Sequence, residues 1–81
     1  MALNIQITKS AVKSLKRLDK QTRERIKDGI YKLPSGDIKK LQGYDNYYRL
    51  RVGDYRIIYK SDGNTIIISD ILPRGAAYKR Y

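Results

Sequence analysis

Three arginines fall within "YYRLRVGDYRIIY", residues 47–59: Arg49, Arg51 and Arg56. Arg49 and Arg51 stand two apart, so on a strand both point to one side of the sheet. Arg56 lies beyond Gly53 and Asp54, which read as the turn of a hairpin. Whether Arg56 joins the other two depends on register, which a bulge at Val52-Gly53-Asp54 would shift by one position. If all three share a face, their planar forks suit bidentate contact with phosphate and stay protonated at any physiological pH. The alternative is a row of solvating charges on half-exposed strands. This segment offers only Asp45 and Asp54 as nearby acids, which favours an anion site over an ion-pair network.

Other chemistries are removed by composition. The chain has no His and no Cys, so the usual zinc sites, histidine acid–base pairs and thiol nucleophiles have no residues to build them. No GxxxxGK[ST] loop is present to cradle phosphate. The carboxylates are scattered along the chain, a poor basis for a two-metal site. Catalysis, if any, is expected to need no metal or other cofactor and to rest on Arg, Lys and Tyr.

The charge points to the class of partner. Eighteen Lys and Arg against eight Asp and Glu leave +10 at neutral pH, which calls for an anionic partner such as nucleic acid or an acidic protein. A membrane is not expected as a partner, because no apolar run approaches the roughly 20 residues of a spanning helix. "MALNIQIT" lacks the pattern of a signal peptide, so the expected location is the cytoplasm. Residues 1–40 carry eleven basic and four acidic side chains, against seven and four in residues 41–81. The bulk of the positive field therefore comes from the N-terminal half.

The elements that must position these residues follow from periodicity. "LNIQI" alternates Leu3, Ile5 and Ile7 against Asn4 and Gln6, the pattern of a strand with one buried face. Thr8 is a fair N-cap for a helix in which Ala11, Val12, Leu15 and Leu18 recur at helical spacing. Ile26, Ile30 and Leu33 continue that period until Pro34 stops it. Asp19 offers a second N-cap, so a hairpin of two helices is favoured over one bent helix. Next come Tyr48, Leu50 and Val52 alternating with Tyr47, Arg49 and Arg51, then Tyr55, Ile57 and Tyr59 alternating with Arg56, Ile58 and Lys60. "SDGN" marks another tight turn, and "TIIISDIL" reads as a strand buried on both faces. The expectation is a single α+β domain over residues 1–81, with helices on one face of the sheet. It comprises an N-terminal strand, a helical hairpin, a three-strand antiparallel meander and a short C-terminal tail or helix.

Eight Tyr with no Phe and no Trp is an unusual aromatic choice. Tyr48, Tyr55 and Tyr59 are expected to bury their rings with the hydroxyl at an edge. Tyr78 and Tyr81 stand in a basic tail and are better placed for stacking on bases or for proton transfer.

The segment "LQGYDNYYRLRVGDYRIIYKSDGNTIIISDILPRGAAYKRY" resembles the RelE/ParE superfamily of toxins from toxin–antitoxin pairs, whose core reads approximately L-x-G, Y-R-x-R-x-G-x-Y-R, a strand, and R-x-x-x-Y. The resemblance spans essentially the whole chain. Arg74 followed four residues later by Tyr78 is similar to the RelE-like branch, whose members cut mRNA in the ribosomal A site. ParE-like members instead inhibit DNA gyrase, and a non-catalytic basic nucleic-acid-binding module is a further alternative. The resemblance implies Arg56 and Arg74 as phosphate and transition-state contacts and Tyr78 near the reacting ribose. It places Arg49 and Arg51 as substrate-binding groups, where the best-known RelE-type enzymes carry lysines. An arginine cannot serve as a base as a lysine can, so the base is either Tyr78 or no protein group. Lys9, Lys13, Lys16, Lys20 and Arg23 are then expected to meet ribosomal RNA phosphates. The implied partners are the ribosome with its mRNA and a cognate antitoxin protein.

Overall fold

The computed structural model describes residues 4–73. In chain order the elements are β1 (Asn4–Ile7), α1 (Lys9–Lys16), α2 (Lys20–Tyr31), β2 (Asp37–Lys40), β3 (Tyr47–Val52), β4 (Tyr55–Asp62) and β5 (Thr65–Pro73). The strands form one sheet in the order β1-β5-β4-β3-β2, with β1 parallel to β5 and the other pairs antiparallel. This is the expected α+β arrangement, including the β3-β4-β5 meander. The C-terminal tail or helix expected after Pro73, with Arg74, Tyr78 and Tyr81, lies outside the described residues.

Both helix starts lie where the capping residues put them. The Thr8 side chain accepts from the Ala11 amide, and the Asp19 side chain accepts from the Thr22 amide, each at 3.2 Å. Asp19 also accepts from the Thr22 hydroxyl at 2.6 Å. These Thr22 bonds, side chain first, hold the Asp19 carboxyl below its ordinary value. The hairpin reading of residues 9–33 is therefore correct. Its arms diverge: α1 packs on β5 and α2 on β3.

One layer of apolar side chains joins helices to sheet. Ala11, Leu15, Ile26, Ile30 and Leu33 meet Leu50, Ile57, Tyr59, Ile66, Ile68 and Ile71. Gly29 lets α2 come close to β3, because a Cβ built there would stand 2.7 Å from Val52 Cγ2. Tyr59 is buried, while Tyr48 and Tyr55 pack at the margin of the core. The rings of Tyr48 and Tyr59 stack with centroids 5.5 Å apart. Burial pushes the Tyr59 hydroxyl above its ordinary pKa, and the neighbouring Tyr48 adds in the same direction.

Three details depart from the periodic reading. β2 is an additional edge strand, since "DIKK" has too little alternation to announce itself. Ile7 is 41% exposed rather than buried, as it lies on the edge strand β1. The bulge is not at Val52-Gly53-Asp54, where Val52 pairs with Tyr55 in regular register. It lies between β4 and β5, where Ile58 pairs with Asp70 but Tyr59 pairs with Ile68. Ser69 is the extra residue, and the Thr8 hydroxyl donates to its carbonyl at 2.9 Å. The bulge keeps Ile71 on the core face with Ile66 and Ile68, whereas Ile67, opposite Lys60, is half-buried on the other face, so the expected burial of both faces is only partial.

Candidate functional site

The sheet face opposite the helices takes every other residue of β3 and β4. On β3 these are Tyr47, Arg49 and Arg51, because Tyr48, Leu50 and Val52 pack on the helix side. On β4 they are Arg56, Ile58 and Lys60, because Ile57 and Tyr59 lie in the core. The register places Arg51 directly opposite Arg56 and Arg49 directly opposite Ile58. All three arginines of the hairpin therefore share one face.

Gly53 fixes that register. It takes φ 57° at the first central position of the two-residue turn, the conformation in which a glycine-led hairpin turn matches the twist of its strands. Directly opposed like charges destabilise a strand pair, with Cβ atoms about 4.5–5.5 Å apart. The Arg51–Arg56 pair breaks that rule at the tip of the hairpin. Together with Gly53, Asp54 and Tyr55, these two arginines line a small hollow.

Neighbouring strands extend the face. In register, Asp37 stands beside Arg51, and Lys39 beside Arg49. From β5, Leu72 stands beside Arg56 and Asp70 beside Ile58. Two acids thus come from elements outside the hairpin, which corrects the expectation that only Asp45 and Asp54 are near. Arg49 Nη2 lies 3.3 Å from Asp37 Oδ1 in a salt bridge. The Arg49 side chain is only 18% exposed against 61% for Asp37, and its Nε is buried with no hydrogen-bond partner. A desolvated guanidinium donor of this kind is costly unless an acceptor reaches it. Ile58 is wholly buried although it stands outside the helix-side core, so this face has an apolar floor.

The sequence-predicted residues separate into groups. Arg49, Arg51 and Arg56 come together on one face. Lys9, Lys13, Lys16 and Lys20 are exposed on the helical layer, on the other side of the sheet. Arg23 is half-buried and donates to the Leu18 carbonyl at 3.2 Å, joining α2 to the turn before it. Arg74 and Tyr78 lie outside the described residues. Sequence reasoning put Lys60 in the same two-residue period as Arg56 but did not count it among the site residues. It also missed Lys39, Asp37 and Asp70, for which no periodic signal exists. Among the described residues, no three His, Cys, Asp or Glu side chains gather as a metal site. No helix among them is long and apolar enough to cross a membrane.

Three comparisons bear on this arrangement. A family model described as the ParE toxin of type II toxin–antitoxin system, parDE, matches residues 5–78. The chain is 39% identical over 84 residues to Toxin RelE3 of Methanocaldococcus jannaschii, covering 94% of this chain and 96% of that protein. Among solved structures, it matches the RelB–RelE antitoxin–toxin complex from Methanococcus jannaschii with a TM-score of 0.77 and 39% identity, over 94% of this chain and 98% of that one. The archaeal RelE–RelB complex from Pyrococcus horikoshii OT3 matches with a TM-score of 0.76 and 34% identity, over 95% and 100% of the two chains.

Proposed function

The chain belongs to the RelE/ParE superfamily of toxins of type II toxin–antitoxin systems, and from that premise we propose that it is an endoribonuclease that cuts mRNA in the ribosomal A site without a metal ion. The reading is carried by one observation: Arg51 and Arg56 are directly opposed on the sheet face that also bears Arg49. Two guanidinium forks brought side by side on one strand pair suit bidentate contact with a phosphate.

In the proposed reaction the 2′-oxygen of the mRNA attacks the adjacent phosphorus. The 5′-oxygen of the next nucleotide leaves and takes up a proton, which yields a 2′,3′-cyclic phosphate and a 5′-hydroxyl. Arg51 and Arg56, with Arg74 from the tail, stabilise the negative charge that builds on the phosphoryl oxygens. Arg49 and Lys39 hold flanking phosphates. Tyr78 is assigned the role of accepting the 2′-proton. The ribosome supplies the alignment of 2′-oxygen, phosphorus and leaving oxygen, and orientation of that kind accounts for a large share of such a barrier. Lys9, Lys13, Lys16 and Lys20 face away from the arginines and meet ribosomal RNA, so one molecule bridges two RNA surfaces.

The relatives from M. jannaschii and P. horikoshii were solved as complexes with RelB. A cognate antitoxin is the corresponding partner here: an acidic, partly disordered chain that folds onto the basic surface. The +10 charge and the arginine face both favour such a partner, and the cytoplasm is where toxin, antitoxin and ribosome would meet.

A second reading has one observation in its favour, the match to the ParE family model. It makes the chain a gyrase inhibitor with no nuclease chemistry. Induced expression followed by early labelling separates the two. Amino-acid incorporation should fall first, and purified ribosomes programmed with mRNA should yield A-site cuts bearing cyclic phosphates. An initial fall in thymidine incorporation with intact mRNA would replace the nuclease reading with the gyrase one.

A further inference from the structure

The arginine row does not end at Arg49. Two residues earlier on β3, about 7 Å away along the strand, Tyr47 occupies the same face, opposite Lys60. Its ring meets that of Tyr44 edge-on, with centroids 6.3 Å apart and planes at 77°. Tyr44 remains 38% exposed. It lies in the loop between β2 and β3, which is closely held: the Leu41 amide donates to the Tyr47 carbonyl at 3.0 Å and the Ser61 amide to the Asn46 carbonyl at 2.8 Å. Asn46, at φ 65°, takes the left-handed conformation that brings the chain into β3. Tyr44 also borders an open depression of about 310 Å³ lined by Lys40, Leu41, Gln42, Gly43 and Asp45.

We propose that Tyr44 and Tyr47 form a stacking platform for a nucleobase of single-stranded RNA next to the phosphates held by the arginines. The proposal rests on the nuclease reading for its substrate and goes beyond it by assigning a base subsite. An aromatic group continuing a row of cations is the arrangement that single-stranded nucleic acid favours, with cations tracking the backbone and rings stacking its bases. The lining balances one cation, Lys40, against one anion, Asp45, so it does not single out a phosphate, while Gln42, Asp45 and Lys40 can bond the edge groups of a base. The tail tyrosines are then not the sole candidates for stacking: a second aromatic site lies at the opposite end of the row from the Gly53 turn.

The test measures binding and needs no cleavage. Wild-type protein, Tyr44→Ala and Tyr44→Phe are titrated with a short single-stranded RNA oligonucleotide and with the same backbone made fully abasic. Tyr44→Ala should weaken binding of the base-bearing strand by about 5- to 100-fold and leave the abasic strand unchanged, while Tyr44→Phe binds both as wild type does. Tyr44→Trp, the only Trp in such a chain, should show fluorescence quenching with the base-bearing strand alone. Equal affinity of wild type and Tyr44→Ala, equal losses on both strands, or no detectable binding by the wild type would each overturn the platform. If the base-dependent loss is seen while programmed ribosomes stay uncut, the platform stands and the nuclease reading fails.

Discussion

Gly29→Ala tests how α2 is set against the strand that carries Arg49 and Arg51. The added Cβ would lie 2.7 Å from Val52 Cγ2 and 3.6 Å from Leu50 Cδ2. Carbon atoms prefer about 3.5–4.0 Å, so the overlap with Val52 is about 0.8 Å. Overpacking of this kind costs about 1–3 kcal/mol. Alanine regains about 1 kcal/mol over glycine in a helix interior. The net effect should be destabilisation by about 1 kcal/mol, a fall in Tm of about 4–8 °C for a domain of this size. Val52→Ala alone should also cost about 1 kcal/mol through lost burial. With both γ-methyls of Val52 gone the remaining contacts, Leu50 Cδ2 at 3.6 Å and the residue-52 Cβ at 4.0 Å, are ordinary, so Gly29→Ala should become stabilising in that background. The double variant then returns close to wild-type stability, with a coupling of about 2 kcal/mol. Thermal and urea unfolding of the four proteins measures this. If Gly29→Ala raised Tm in the wild-type background, or if the two effects simply added, close approach would not be the reason for glycine at this position.

Tyr59→Phe tests the buried hydroxyl. The folded pKa of Tyr59 is raised above its unfolded value, so its neutral form supports the fold fully below about pH 10 and that support is lost as pH rises through the folded value. Wild type should therefore lose stability more steeply than Tyr59→Phe in urea melts above pH 10, and parallel curves would refute this. Asp37→Asn removes the exposed partner of Arg49; Tm should hardly move, whereas affinity for single-stranded RNA should rise roughly two- to five-fold at low salt and the gain should vanish at high salt. A large loss of Tm would show that the bridge is structural. Tyr78→Phe should lower single-turnover cleavage on programmed ribosomes by about 10² with RNA binding preserved, and an unchanged rate would leave the proton transfer to another group.

Local chemistry was enough to place most of the fold. Thr8 and Asp19 can each satisfy an otherwise unpaired helix amide, so both helix starts were legible. Side chains two apart on a strand share a face, so the alternation of Tyr48, Leu50 and Val52 with Tyr47, Arg49 and Arg51 identified β3 and the common side of two arginines. Composition alone removed the chemistries that need His or Cys. Tertiary structure decided what lies across from what. Arg56 joins Arg49 and Arg51 because the Gly53 turn closes without a bulge, and either register was compatible with the same residues. β2 carries too few apolar side chains to signal a strand, so Asp37 and Lys39 reach the arginine face only through hydrogen bonding of its backbone to β3. Asp70 arrives there because Ser69 bulges, and the carbonyl of Ser69 is satisfied by Thr8, 61 residues earlier in the chain. A period is a property of a few neighbouring residues, whereas register, bulges and edge pairing are set by long-range backbone bonds that no local pattern encodes.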